Sequence, residues 1–181
     1  MSAGGPALVL IGPMGAGKTS IGRRVARALQ RRFFDSDIAV VRAHGPIEKI
    51  FAEHGEAHFR ALEREAVREG LASGGVVSVG GGAVLDPATR AELADHRVVL
   101  LTVEPRVVAA RVRDSARPLL KEGDALARWT EIMAARRPLY DEVADITFDT
   151  SHGPLSDVVA AIVTWLEAEE AGTQKIRTEE K

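Results

Sequence analysis

Short apolar runs alternate along this chain with longer segments in which apolar residues recur at helical spacing. The runs predict five strands, at Ala7 to Ile11, Phe33 to Asp35, Val76 to Val79, Val98 to Val103 and Asp145 to Asp149. The helical spacing is seen in three groups of residues, at Ile21, Val25, Ala28 and Leu29, at Phe59, Leu62 and Ala66, and at Val158, Ala161, Ile162 and Trp165. The alternation is typical of βαβ units and predicts an α/β fold, with a parallel sheet covered by helices on both faces.

Length and composition favour one domain that acts on small molecules. With 181 residues the chain has the size of a single ordinary domain, which we place at residues 1–168. The 24 basic and 26 acidic side chains nearly cancel, so no global field attracts nucleic acid or an anionic membrane. The absence of cysteine excludes disulfides and thiolate chemistry. Residues 169–181 are charged and poor in large apolar side chains, which predicts a flexible tail.

The beginning of the chain does not resemble a targeting segment. It has no basic lead, and its apolar run is far shorter than the core of a signal peptide. No other stretch approaches the roughly 20 apolar residues that cross a bilayer. We therefore expect a soluble, cytoplasmic protein. The basic residues Arg23, Arg27 and Arg31 are interpreted as a solvated helix face rather than a nucleic-acid site.

The segment GPMGAGKTS, residues 12 to 20, follows the first predicted strand and precedes the first predicted helix. It matches the phosphate-binding pattern G-x-x-x-x-G-K-[ST] in the context which that pattern requires. Its backbone N–H groups bind phosphate, Lys18 adds a charge at the β and γ phosphates, and the Thr19 hydroxyl is suited to ligate Mg²⁺. We expect ATP or GTP with Mg²⁺ here. The expected nucleotide contacts are Gly15, Ala16, Gly17, Lys18, Thr19 and Ser20.

Two acids follow the second predicted strand, in FFDSDIAV. Asp35 and Asp37 are two residues apart, so both side chains point the same way from the strand end, where open parallel sheets bind ligands. One carboxylate can support the water shell of a metal ion while the other accepts a hydrogen bond or a proton from a substrate hydroxyl. The alternative is a structural role, in which Asp37 caps the following helix. The neighbouring phosphate loop favours the functional interpretation.

Four further segments carry residues suited to a ligand site. In GEAHFRALE, the spacing places Arg60 on the polar side of a helix, where an arginine is ordinarily at the surface. In VVSVGGGAV, three glycines end a central strand and leave the backbone open to a ligand. The charged segment DSARPLLKEGD interrupts the helical pattern and predicts a lid that brings Arg117 over the phosphates. In MAARRPLYDEV, Arg136 and Arg137 stand just before a proline.

This ordered series of segments resembles the shikimate kinase family from about Leu8 to about Leu166. The resemblance rests on the phosphate loop, the D-x-D pair, the F-R-x-x-E segment, the Gly-Gly-Gly strand end, the R-P-L-L lid and the A-x-R-x-P-L-Y segment. It implies a three-layer P-loop kinase fold, in which a five-stranded parallel sheet has the order 2-3-1-4-5. It also implies a substrate-binding insert at about 38–71 and a short lid at about 112–124.

The resemblance implies an ATP-dependent kinase that phosphorylates the 3-hydroxyl group of shikimate, in chorismate and aromatic amino-acid biosynthesis. By this resemblance Asp37 would hold the reacting hydroxyl, and Arg60 and Arg136 would bind the shikimate carboxylate. Gly81 and Gly82 would contact the ring hydroxyls through the backbone. We expect a monomer whose substrates are shikimate and ATP, with no nucleic-acid or membrane partner.

The resemblance also assigns residues on the nucleotide side. Lys18 and the lid residue Arg117 would neutralise charge on the transferring phosphoryl group, and Asp35 would support Mg²⁺ through water beside Thr19. Arg111 would stack on adenine, although it stands six residues before the lid arginine, where the family commonly has seven. The chain therefore follows the family pattern closely on the acceptor side and less closely at the residues expected to contact the adenine base.

Two other functions stay open on the sequence alone. Another small hydroxy acid such as gluconate could be the acceptor, although gluconate kinases follow their acids with His-Pro where this chain has DSDIAV. The second alternative is a noncatalytic nucleotide-binding protein, which would be expected to lose Lys18, Asp37 or the lid arginine. Arg113 is a second candidate for the adenine contact, and His152 is interpreted as a solvent-facing loop residue.

Overall fold

The five predicted strands form one parallel sheet. A computed structural model describes residues 5–112 and 124–179 of the chain. The strands are β1 (Leu8–Ile11), β2 (Phe33–Asp35), β3 (Val76–Ser78), β4 (Arg97–Thr102) and β5 (Ile146–Asp149). They are hydrogen-bonded in the order β2-β3-β1-β4-β5 and are all parallel. The α/β class and the strand order are confirmed, and every strand boundary lies within one residue of its prediction.

Helices cover both faces of the sheet. In chain order they are α1 (Lys18–Ala28), α2 (Ser36–His44), α3 (Ile47–Ser73), α4 (Pro87–Leu93), α5 (Pro105–Val112), α6 (Ala125–Val143) and α7 (Leu155–Glu179), with a 3₁₀ turn at Ala83–Leu85. Helices α1, α5 and α7 contribute to the core on one face, α3 and α4 contribute to the core on the other, and α6 contributes to both. The arrangement has three layers. In the part of the chain that the structure describes, no helix is long and apolar enough to cross a membrane.

Strand β1 explains why the sheet needs helices on both faces. Leu8 and Leu10 belong to the core beneath α1 and α7, while Val9 and Ile11 belong to the core beneath α3. The division follows from strand geometry, because successive side chains point to opposite faces. All four residues are fully buried. A strand buried on both faces is a continuous apolar run, which makes it recognisable in the sequence.

The predicted insert consists of α2 and α3, which have a small core of their own. Val40 of α2 packs there with Ile50, Phe59 and Ala66 of α3. Helix α3 is kinked at Gly55, whose φ of 80° and ψ of 173° are not helical. The direction of the second half of α3 is therefore set by this kink and by packing against α2.

The structure differs from the sequence prediction in some details. Ala28 and Ala161 are exposed, although their helical spacing predicts that they belong to core faces. An alanine has so little apolar surface that it does not show where the buried face of a helix ends. The segment expected to be a flexible tail continues α7 as far as Glu179, and Glu170 accepts two hydrogen bonds of 2.8 Å from Arg31. Residues 113–123, most of the predicted lid, lie outside the described residues. The domain bounds stay a prediction.

Candidate active site

The phosphate-binding segment forms a tight turn between β1 and α1, at the carboxyl end of the sheet. Gly12 has a φ of 140°, and a Cβ atom there would lie 2.2 Å from the Leu101 carbonyl oxygen, so only glycine fits. Gly17 is the N-cap of α1 and has no side chain with which to cap the helix. A helix N-terminus without a capping side chain is suited to bind a phosphate group.

Two side chains hold three successive carbonyl groups of this loop. The Lys18 ammonium donates to the Gly12 carbonyl at 2.8 Å and to the Pro13 carbonyl at 3.0 Å. The Trp129 indole N–H donates to the Met14 carbonyl at 2.9 Å. In a trans peptide the carbonyl and the next N–H point in opposite directions, so carbonyls that are held outward turn N–H groups inward.

Asp35 links the end of β2 to the start of α1. Its Oδ2 atom accepts a hydrogen bond of 2.7 Å from the Thr19 hydroxyl, and its Oδ1 atom accepts one of 3.1 Å from the Ile38 N–H. Asp35 therefore caps α2, and the structural alternative that gave this role to Asp37 is wrong. A hydroxyl and a carboxylate side by side at a phosphate loop offer the oxygen ligands and water-shell partners that Mg²⁺ prefers.

Asp37 lies half-buried in the first turn of α2, against the glycine turn that follows β3, residues 80–82. A Cβ atom at Gly80 would lie 2.7 Å from Asp37 Oδ1 and 2.2 Å from Glu63 Oε1. The Gly80 N–H donates to the Ser36 hydroxyl at 3.0 Å. A side chain at this position would therefore displace the two carboxylate groups from the glycine turn.

The Arg60 side chain lies against the glycine turn and is largely buried. Its Nη1 atom donates to Glu63 at 2.6 Å and its Nη2 atom donates to Glu56 at 3.0 Å. A Cβ atom at Gly82 would lie 2.3 Å from Arg60 Nη1, and the arginine side chain is only 23% exposed. The surface location that the helical spacing favours is therefore wrong. Burial raises the pKa of Glu63, and its ion pair with Arg60 opposes that rise.

Helix α6 covers the other side of the glycine turn. Arg136 is 7% exposed, and a Cβ atom at Gly81 would lie 3.7 Å from its Nη1 atom. Tyr140, about one helical turn further on, donates its hydroxyl to the Gly81 carbonyl at 2.5 Å. Arg60 and Arg136 thus flank the glycine turn from two different helices, as guanidinium groups suited to bind a carboxylate.

A cleft of about 350 Å³ joins the phosphate loop to the glycine turn. It opens at the carboxyl ends of the strands, the edge at which open parallel sheets bind ligands. Its lining residues are Gly15, Gly17, Lys18, Thr19, Ser20, Asp35, Asp37, Ser78, Val79, Gly81 and Leu155. The structure therefore brings predicted nucleotide, metal and acceptor residues to one cleft.

The residues predicted beside adenine and on the lid are only partly placed. Arg113 and Arg117 lie outside the described residues, and Arg111 falls in the last turn of α5, where only its backbone is described. His152 is exposed, and its Nε2 atom lies 3.1 Å from Glu104 Oε1. The solvent-facing interpretation of His152 agrees with this contact, and the roles of the arginines stay predictions.

Comparison with known proteins assigns the family. The family model described as shikimate kinase matches residues 14–167 of this chain. A shikimate kinase from Thermobifida fusca is 50% identical over 153 residues, which cover 82% of this chain and 88% of the relative. The chain belongs to the shikimate kinase family. A shikimate kinase from Rhodococcus jostii is 44% identical over 164 residues, which cover 89% of this chain and 98% of the relative.

The shikimate kinase fold is also shared with solved structures. A shikimate kinase from Acinetobacter baumannii, solved in complex with shikimate, matches with a TM-score of 0.86 and 35% sequence identity. The match covers 91% of this chain and 94% of that protein. The predicted P-loop kinase fold is therefore confirmed.

Sequence reasoning gave no role to three polar residues of this shikimate kinase site. Glu63 stands three residues after Arg60, the spacing of an ion pair on a helix, and this signal could have identified it. Ser36 and Tyr140 form hydrogen bonds with backbone groups 44 and 59 residues away. No local pattern records such partners.

We expect Tyr140 to ionise only at strongly alkaline pH. Burial raises its pKa to about 12, because the phenolate would lose its hydration. It is the only tyrosine of the chain, so tyrosinate absorbance during an alkaline titration reports on it alone. Since an unfolded tyrosine ionises near pH ~10, the unfolded chain binds fewer protons above that pH, and the free energy of unfolding should fall as pH rises further. The Tyr140→Phe variant should lose less stability over this range. Ionisation of the folded protein at the pKa of a free tyrosine would contradict the burial.

Proposed function

We propose that this protein transfers the γ-phosphoryl group of ATP to the 3-hydroxyl group of shikimate, which gives shikimate 3-phosphate and ADP. The observation that carries the proposal is the pair of guanidinium groups, Arg60 and Arg136, that flank the glycine turn beside the phosphate loop. A cyclic hydroxy acid needs such groups at its carboxylate. The Acinetobacter baumannii relative was solved with shikimate, which supports the same acceptor here. The product would serve chorismate and aromatic amino-acid biosynthesis.

Asp37 is proposed to hold the reacting hydroxyl. Its carboxylate lies at the cleft between the phosphate loop and the glycine turn. There it orients the hydroxyl and can accept its proton, while the new bond to phosphorus forms and the bond from phosphorus to ADP breaks. No acceptor among the described residues takes a hydrogen bond from the N–H of Gly81 or Gly82, which supports their contact with the other ring hydroxyls.

The nucleotide side is proposed to act by positioning and charge stabilisation, with in-line transfer and no covalent enzyme intermediate. Lys18 and the N-terminus of α1 bind the phosphates next to the cleft. Arg117 of the predicted lid adds a second cation, a role in which an arginine contributes on the order of 10³ to 10⁵ in rate in related phosphoryl transfers. Arg111 is proposed to lie against the adenine ring.

Mg²⁺ is the metal ion that we propose. The Thr19 hydroxyl and the Asp35 carboxylate, 2.7 Å apart beside the phosphate loop, fit a hard cation that keeps several of its own waters. When bound with ATP, Mg²⁺ neutralises charge on the β and γ phosphates. Thr19 would ligate the ion directly, and Asp35 would hold its water shell while it continues to cap α2.

Replacing Thr19 by valine should raise the Mg²⁺ concentration needed for half-maximal activity by about 10- to 100-fold. Valine keeps the branched shape of threonine but has no oxygen to offer the metal. Activity measured against free Mg²⁺ at fixed ATP gives the requirement. The Thr164→Val variant, at an exposed position of α7, is the matched control and should behave like the wild type. An unchanged requirement in Thr19→Val would exclude Thr19 as a ligand.

ADP release tests the proposed acceptor. The purified protein with Mg-ATP is given shikimate, quinate, gluconate, a nucleoside monophosphate or buffer alone, and we expect strong release with shikimate only. A nucleoside monophosphate is disfavoured because the Asp37 carboxylate would repel a second phosphate group. Release with another acceptor would overturn the shikimate proposal but keep a kinase. No release with any acceptor, despite ATP binding, would overturn the activity.

A further inference from the structure

Helix α6 buries one narrow stripe of side chains. Its buried residues are Trp129, Arg136 and Tyr140. Arg136 and Tyr140 stand seven and eleven residues after Trp129, which at 3.6 residues per turn puts all three on one face of the helix. Trp129 belongs to the core on the α1 side of the sheet, and Tyr140 belongs to the core on the α3 side. The stripe therefore passes from one core to the other over the carboxyl edge of the sheet, where the cleft lies.

Trp129 holds one peptide of the phosphate loop. Its indole ring is 2% exposed, and its N–H donates to the Met14 carbonyl at 2.9 Å. The Met14 carbonyl and the Gly15 N–H belong to the same peptide, which is trans, so the two groups point in opposite directions. A carbonyl that is held toward α6 turns the Gly15 N–H away from α6. Because Gly15 lines the cleft, this N–H is turned toward the side where nucleotide phosphates would bind.

Tyr140 holds one peptide of the glycine turn in the same way. Its hydroxyl donates to the Gly81 carbonyl at 2.5 Å, and the ring is 1% exposed. The Gly82 N–H, on the opposite side of that trans peptide, is therefore turned away from the tyrosine. The positive charge of the nearby Arg136 guanidinium opposes the rise in the pKa of Tyr140 that its burial causes. The phenol group thus contacts the glycine turn and lies in the electrostatic field of an arginine of the proposed carboxylate site.

We propose that α6 aligns both halves of the active site through main-chain carbonyls, with Trp129 as a positioning residue for the nucleotide and Tyr140 as a positioning residue for the acceptor. Neither side chain contacts a substrate. Each acts through the direction of a single peptide N–H group. The inference rests on the proposed function only for the identity of the acceptor.

In each loop, other residues form hydrogen bonds with the neighbouring peptides. Loss of the polar group of Trp129 or Tyr140 should therefore free only one peptide. In the phosphate loop, the Thr150 hydroxyl lies 3.0 Å from the Ala16 carbonyl. In the glycine turn, the Ser36 hydroxyl accepts from the Gly80 N–H at 3.0 Å. The rest of each loop therefore stays anchored when Trp129 or Tyr140 loses its polar group.

Two phenylalanine variants test the proposal, because each should weaken the binding of a different substrate. Trp129→Phe should raise the KM for ATP and the Kd for ADP by about three- to tenfold, the value of one ordinary hydrogen bond, with the KM for shikimate unchanged. Tyr140→Phe should raise the KM for shikimate by a similar factor, with the Kd for ADP unchanged. Trp165→Phe makes the same change in the other tryptophan, on α7, and should alter neither constant. If both variants weaken both substrates alike, or if neither constant changes, α6 is only a scaffold and the proposal is wrong.

A measurement on the wild-type protein tests the proposal even if one of the variants does not fold. The chain has two tryptophans, so nitrogen-labelled protein gives two indole N–H resonances. The Trp129 resonance should shift when ADP is added and stay in place when shikimate is added, whereas the opposite response would overturn the proposal. The ADP measurements need no acceptor, so they stay informative if shikimate is not a substrate. In that event the Tyr140 measurements use whichever acceptor supports ADP release.

Discussion

Replacing Asp37 by asparagine should lower kcat with shikimate by about 10² to 10⁴-fold while ADP still binds. Asparagine keeps the shape of the side chain where it packs against Gly80, but it carries no charge and accepts no proton. The effect should fall on kcat because the carboxylate is needed most as the hydroxyl attacks phosphorus. Steady-state rates at saturating shikimate and ATP give kcat, and calorimetry gives the affinity for ADP.

Glu63 should not replace the missing carboxylate, although it lies beside Asp37. Its carboxylate is bonded to Arg60 at 2.6 Å. The charge of Asp37 is one of the causes that raise the pKa of Glu63, after its burial, so the asparagine variant relieves this effect. Relief of this repulsion lowers the pKa of Glu63 and so favours its carboxylate form, which pairs with the arginine. The loss of turnover should therefore not be compensated locally.

Asp95→Asn is the matched control for this prediction. Asp95 is exposed in the turn between α4 and β4, at the edge of the sheet opposite the cleft. The same loss of charge there should leave kcat and ADP binding unchanged. Near-normal turnover in Asp37→Asn would remove Asp37 from the mechanism, and loss of ADP binding would assign it to the nucleotide side.

The strands could be predicted from the sequence because their signals are local. Strand β1 is buried on both faces, so it is a continuous apolar run, and the phosphate-loop glycines mark its end. The strand order had no local signal. Parallel strands are joined by crossovers, and no pattern within a strand records which strand it pairs with. The order therefore came from the family resemblance.

The site residues that belong to a recognisable motif could be predicted from the sequence. Residues whose role depends on a contact with a distant part of the sequence could not. Arg60 looked like a surface residue because its burial depends on Gly82, which lies on another element, and on an ion pair with Glu63. Trp129 and Tyr140 occupy the buried face of α6 like core aromatic residues. Their polar atoms bind carbonyl groups 115 and 59 residues away, which no helical periodicity reveals. The roles of such residues can be predicted only once the fold is known.

Replacing Arg60 by alanine should raise the KM for shikimate by about 10- to 150-fold, which corresponds to the loss of a hydrogen bond to a charged group. The KM for ATP should stay unchanged, because Arg60 lies at the glycine turn rather than at the phosphate loop. Arg60→Lys should have a smaller effect, since lysine keeps the charge but lacks the planar fork that pairs with a carboxylate. Initial rates at varied shikimate and saturating ATP measure these changes.

Arg64→Ala separates the loss of the substrate contact from damage to α3. Arg64 lies four residues after Arg60, is 17% exposed, and donates to Glu92 at 2.5 and 2.9 Å, so it is similarly buried and similarly paired. Both alanine variants lose an ion pair and should lower the free energy of unfolding. In Arg60→Ala the pKa of the buried Glu63 rises further without the arginine, which favours the neutral form of that carboxyl group and limits the loss. Only Arg60→Ala should weaken shikimate binding. An equal rise in KM for both variants would attribute the effect to α3, and an unchanged KM and turnover in Arg60→Ala would leave that arginine as no more than the partner of Glu63.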